Sequence, residues 1–208
     1  MTQRISTDAE LLREVLGSLA HDLGGMSSAL ALRADALGPE ARTSDAAALH
    51  DIADEMRSLG RHLRFLRGPR GAEAASPVNA GSLHTWWSVM ERVGGSCLVR
   101  GVALEGEIAE LQVTPEQAYA LTFVVLALFR DLVRRGLKGP AAVRLIAQQD
   151  GDGAAMLVRA VRPDGTPVPL RRRESGWSSY ARRRAQAAGL QLEAHDDAQR
   201  IRMPVSPR

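Results

Sequence analysis

Leu12, Leu16, Leu19, Leu23, Met26, Leu30 and Leu37 recur at alternating spacings of four and three, with one full heptad at the end. That period belongs to a helix packing a narrow apolar seam against partner helices; a half-buried strand repeats every two residues. A second stretch, Leu49, Ile52, Met56, Leu59, Leu63 and Leu66, repeats the seam. Between them Gly38-Pro39 stops the first helix, because glycine suits a helix end and proline cannot continue the hydrogen-bond ladder. Two long helices with matching seams and a short connection predict an antiparallel hairpin. One hairpin has little core, so its free apolar edge predicts a homodimer, two copies forming a four-helix bundle.

Within the first seam, counting Leu19 as a d position makes His21 the following f position, so the spacing predicts its imidazole on the wet face. Asp22 is beside it, and Gly24 and Gly25 follow at i+3 and i+4, where side chains would crowd the same face. Two glycines inside a helix cost about 1 kcal/mol each relative to alanine. A bare face around an exposed histidine predicts access by a large partner.

The stretch LAHDLGGMSSAL, His21-Asp22-Leu23 at its centre, resembles the phosphoacceptor box of two-component histidine kinases and of the histidine phosphotransferases derived from them. Met26 stands where the common kinase form has a proline. The resemblance implies that His21 carries a phosphoryl group and that Asp22 orients the ring or takes its proton. Folding the hairpin about residue 40 brings Gly60, Arg61 and His62 level with His21, with Arg57 and Arg64 nearby. Leu23, Gly24, Gly25, Met26 and Ser27, with Gly60, Arg61 and Arg64, form the expected docking surface for an acidic partner.

Composition narrows the classes. Hydrophobic residues make up 45% of the 208, enough for a core. The single cysteine, Cys97, excludes an internal disulfide and suits a reducing cytoplasm. No basic-then-apolar leader opens the chain, and the longest apolar run, residues 118–129, is too short to span a bilayer, so a soluble cytoplasmic protein is expected without a membrane partner. Arginine clusters at 171–173 and 182–184 suit acidic partners or a solvated face. With aromatic residues at 4% and no nucleic-acid motif, nucleic acid is not the expected ligand.

Gly68 to Pro77 (GPRGAEAASP) lacks an apolar period and reads as a linker. The expected organisation is therefore 1–67 for the hairpin, 68–77 for the linker and 78–208 for a second domain. In that domain the patterns predict a helix through Trp86, Trp87, Val89 and Met90, short strands at 97–104 and 108–113, and an apolar helix at 115–135. Strands at 142–147 and 154–161, a helix at 177–188, and strands at 190–194 and 199–203 follow. The order predicts an α+β sandwich, helices over one face of a mixed sheet.

Placed after a His-Asp box, this order is similar to the ATP-binding domain of histidine kinases, from about Asp8 to Val205. The family's two helical asparagines correspond here to Leu128 and Leu132, and leucine offers magnesium no oxygen. The adenine-binding segment is reduced to Arg162-Pro163-Asp164-Gly165-Thr166-Pro167, and the phosphate-binding glycine loop to Ser175-Gly176-Trp177. The resemblance thus implies a degenerate ATPase domain that holds no cofactor, and a relay that moves phosphoryl groups between response-regulator aspartates through His21. Receiver domains would be the partners, supplying the magnesium. Alternatives are a pseudokinase scaffold that binds a regulator or kinase without receiving phosphate, a divergent active kinase, and a nucleic-acid binder. His50, His62, His84 and His195 lie in no comparable box.

Overall fold

Thr114-Pro115-Glu116-Gln117 meets what a helix start requires: the Thr114 hydroxyl accepts from the Gln117 amide at 3.1 Å, and the Gln117 side chain accepts from the Thr114 amide at 3.0 Å. This reciprocal capping satisfies two orphan donors, and Pro115 lacks one that would need satisfying. In the computed structural model of the chain, the helix so begun runs Pro115–Arg134 and buries Leu121, Phe123, Val124, Val125, Leu126, Leu128 and Phe129 almost completely. The structure describes Leu11, Leu16, Gly17, Gly25, Ser28, Ala29, Leu32 and residues 81–151, 153–169, 175–195 and 198–204.

The elements in order are β1 (Gly81–Ser82), α1 (Leu83–Val93), a 3-10 turn (Gly94–Cys97), β2 (Val102–Ile108), β3 (Gln112–Val113) and α2 (Pro115–Arg134). They continue with β4 (Ala141–Asp150), β5 (Gly153–Val161), α3 (Gly176–Ala187), β6 (Gln191–Ala194) and β7 (Ala198–Met203). Five strands form one mixed sheet in the order β2-β4-β5-β7-β6, in which β2 and β4 are parallel and the other pairs antiparallel. β1 and β3 make a separate two-stranded ribbon.

Period-two alternation divides the sheet into two faces. Val143, Leu145 and Ala147 of β4, Met156, Val158 and Ala160 of β5, and Ile201 and Met203 of β7 enter one core with Trp86, Phe123, Phe129, Trp177 and Tyr180 of the helices. Gly106 of β2 lies where a Cβ would run into the Trp87 ring, so glycine there lets α1 approach the sheet. Inside the core the Trp86 indole donates to Thr122 Oγ1 at 3.0 Å, and that hydroxyl donates to the Ala118 carbonyl at 2.9 Å. Thr122 is fully buried, so this pairing removes the desolvation cost of two polar groups.

The architecture corrects the expected one. Among the described residues there are three α-helices given by full ranges and a mixed five-stranded sheet, with no four-helix bundle; the fold is an α/β domain with helices over a mixed sheet. The scattered described positions before residue 81 are helical, but Leu16, a seam residue, is 46% exposed and Leu32 is 73% exposed. Leu11, which the seam omitted, is fully buried and joins the apolar cluster of the α/β domain. A heptad reports that a helix has an apolar stripe; it does not say what covers the stripe. The 97–104 strand also moves: Gly94–Cys97 forms the 3-10 turn, and the strand starts at Val102 after Gly101, whose φ of +82° breaks the chain direction.

Candidate functional site

Of the residues expected at the phosphoacceptor site, His21, Asp22, Leu23, Gly24, Met26, Ser27, Gly60, Arg61 and Arg64 lie outside the described residues, as do His50 and His62. Gly25 is helical and exposed, and a Cβ built on it meets no atom within 4 Å. Packing against the described residues therefore does not require glycine there. Of the other histidines, His84 is exposed on α1, and His195 is exposed beyond β6 with its Nε2 3.9 Å from Glu193.

The nucleotide-site positions of the resemblance are fully described on α2. Leu128 and Leu132 are 1% and 5% exposed and belong to the hydrophobic core, so neither reaches a solvent-filled site. Asp131 is the one buried carboxylate among the described residues, at 3% exposure. About 100° of helical rotation separates it from Leu132, which turns its side chain toward α3. There Ser175 Oγ donates to Asp131 Oδ1 at 2.6 Å, while Arg135 Nη1, one turn along α2, lies 3.6 Å from Oδ2. Both carboxylate oxygens are engaged from within the domain.

Ser175 also caps α3, its hydroxyl accepting from the Trp177 amide at 3.1 Å. Gly176 is the first helical residue of α3, and Trp177, 7% exposed, packs edge-on against Tyr180 with ring centroids 6.1 Å apart. The Ser175-Gly176-Trp177 segment that the resemblance aligns with a glycine loop is thus part of a helix start joined to α2 by the Ser175–Asp131 bond. The serine-before-helix signal was visible in the sequence, but its bond to a residue 44 positions earlier was not.

After β5 the chain closes on itself. Arg162 donates its amide to the Thr166 carbonyl at 2.8 Å, Gly165 takes φ +83°, and the Gly165 amide donates to the Arg162 carbonyl at 2.9 Å. Asp164 Oδ1 accepts from the Thr166 hydroxyl at 2.7 Å and the Thr166 amide at 2.9 Å. Those two bonds, helped by the nearby Arg162 charge, hold the Asp164 carboxyl below its ordinary value of 3.8. The aspartate that the resemblance aligns with an adenine ligand is engaged in an Asx-type turn on the surface.

Among the described residues no helix is long and apolar enough to cross a membrane, and no group of three or more His, Cys, Asp or Glu side chains is arranged to hold a metal ion. No protein-family model matches the chain, and no curated protein matches it. Among solved structures it is similar to the histidine kinase domain from the blue-light activated histidine kinase of Erythrobacter litoralis EL346, at 13% identity and TM-score 0.47, over 95% of this chain and 93% of that one. It is also similar to the Acinetobacter baumannii histidine kinase AdeS, at 11% identity and TM-score 0.39, over 90% and 98% of the two chains. A third similarity is to a bacterial phosphotransferase, at 13% identity and TM-score 0.38, over 97% and 99%.

Proposed function

We propose that the chain is a histidine phosphotransferase of a bacterial phosphorelay, moving phosphoryl groups between response-regulator aspartates through His21 without binding ATP. One observation carries the loss of ATP: Leu128 and Leu132 are core residues, and the neighbouring polar side chain, Asp131, is held by Ser175 and Arg135. Magnesium among phosphates needs oxygen ligands, and this stretch of α2 presents none that is uncommitted. Residues 1–67 would then carry the phosphoacceptor, 68–77 the linker, and 78–208 the degenerate ATPase-like domain.

In this reading the neutral His21 ring attacks the phosphorus of a regulator's aspartyl phosphate. A nitrogen–phosphorus bond forms as the phosphorus–oxygen bond to the aspartate breaks, and the ring proton passes to Asp22 or water. The reverse sequence delivers the group to a second regulator. An ordinary histidine pKa of about 6.5 leaves most of the ring neutral at pH 7. The receiver supplies the magnesium, because the transfer is governed by positioning and charge stabilisation. Exposed Gly25, unconstrained by packing among the described residues, fits a face kept bare for the receiver.

The deciding experiment incubates the chain and a His21→Ala variant with phosphorylated response regulators from the same cell and follows labelled phosphate. Acid-labile label on the wild type alone supports the relay. A regulator that binds but transfers no label overturns it in favour of the pseudokinase scaffold, and calorimetric binding of magnesium-ATP overturns the nucleotide-free reading.

A further inference from the structure

The sheet face turned away from the helices carries a row of arginines over an apolar floor. In register, Ile146 of β4 pairs with Leu157 of β5, and Arg144 pairs with Arg159. Like charges placed directly opposite one another on a sheet are destabilising unless something intervenes. Arg144 resolves the conflict by turning to Glu105, its Nη2 and Nε lying 2.8 and 3.0 Å from one carboxylate oxygen. On the other side Asp150 holds Arg200 at 2.9 Å and Arg202 at 3.2 Å, and Glu193 lies 3.6 Å from Arg202.

Arg159 stands between these groups with no ion pair to an acid among the described residues. Its Nε is buried and has no hydrogen-bond partner among the described residues, and no ion pair joins it to Glu107, the remaining described acid of this face, out on edge strand β2. Arg159 lines an open depression of about 500 Å³ together with Ile146, Leu157, Ala198, His195 and Arg200, and among the described residues no carboxylate lines it. A guanidinium in an apolar depression without an acid partner favours an anion, and a planar carboxylate is the partner whose geometry matches its fork of donors.

We propose that this depression docks an extended acidic segment of a partner protein, with a carboxylate on Arg159 and an apolar side chain over Leu157 and Ile146. A bare anion would leave the apolar pair uncovered, and the open shape does not enclose a small molecule as ligand pockets do. The spacing fits a strand-like segment. Arg159 and Leu157 are two residues apart on β5, so they rise from one face about 7 Å apart, as do side chains i and i+2 of an extended peptide.

The test uses the full chain and a short fluorescein-labelled peptide in which threonine alternates with glutamate and leucine, read by fluorescence anisotropy. Binding is expected, weakening at least about tenfold for Arg159→Gln and for a peptide with glutamine in place of glutamate. Arg159→Lys, which keeps the charge without the planar fork, should lie between the two, and circular dichroism confirms that each variant is folded. Absence of binding at about 1 mM peptide, or equal binding by wild type and Arg159→Gln, overturns the proposal. So does equal binding when serine replaces leucine, which would indicate a simple anion site, or a concentration-dependent dimer abolished by Arg159→Gln, which would indicate a second copy as occupant.

Discussion

Ser175 Oγ lies 2.6 Å from Asp131 Oδ1 and ties the start of α3 to the end of α2. The bond joins segments 44 residues apart and serves twice, since the same hydroxyl caps α3. Ser175→Ala removes the cap acceptor and leaves the buried Asp131 oxygen without its donor. Each loss is worth about 1 to 2 kcal/mol, so destabilisation of about 2 kcal/mol or more is expected in urea unfolding.

If the proposed nucleotide-free reading holds, placing asparagine at the two buried leucines will not create nucleotide binding. Leu128→Asn and Leu132→Asn each place an amide in an apolar core and should destabilise by at least about 3 kcal/mol. Calorimetry on the folded fraction should show no magnesium-ATP binding, because Asp131 and Asp164 remain engaged elsewhere. Recovery of nucleotide binding in the double variant would show that the site is latent.

Element positions in the second half were largely legible in the sequence because local chemistry fixes them. Thr114-Pro115 starts α2 where a cap and an N1 proline should, and the Asp150–Gly153 turn separates β4 from β5. Partners distant in sequence were not legible. Trp86 was read only as an apolar helix residue, yet its indole finds Thr122; Arg144 and Arg159 carry no sign of being opposed, since register follows from the assembled sheet. A seam likewise marks a stripe without naming its cover: of the Leu12 to Leu37 seam only Leu16 lies among the described residues, and it is 46% exposed, while Leu11 beside it is buried.

The Trp86–Thr122 bond lends itself to a double-mutant cycle. Thr122→Val keeps the volume and strands a buried indole donor, with an expected loss of about 1 to 3 kcal/mol. Trp86→Phe removes the donor and some packing. Because the two residues share one bond, the double variant should be more stable than the sum of the single losses implies, with a coupling of about 1 kcal/mol by thermal or urea unfolding.

Asp164 predicts a pH effect of definite sign. Its folded pKa lies below 3.8, so its contribution to stability is present above that value and fades as pH falls through the depressed one. The Thr166 hydroxyl is the largest cause, so Thr166→Ala should raise the Asp164 pKa toward 3.8 in a carboxyl-carbon NMR titration. An unchanged midpoint would mean that the amide bond from Thr166 suffices.

Gly25 separates packing from recognition. A methyl group there meets nothing within 4 Å among the described residues, and alanine is the better helix former, so Gly25→Ala should stabilise the chain by up to about 1 kcal/mol. In the proposed relay, sequence spacing would put the same methyl one helical turn from His21, on the face a receiver would have to approach. Phosphoryl transfer should therefore slow by at least about tenfold, equivalent to about 1.4 kcal/mol in the barrier, while stability rises. Stopped transfer reactions with labelled regulator, run beside urea unfolding, measure both quantities. A variant that is more stable and equally fast would remove the bare-face argument for His21 and leave the glycine without a functional account.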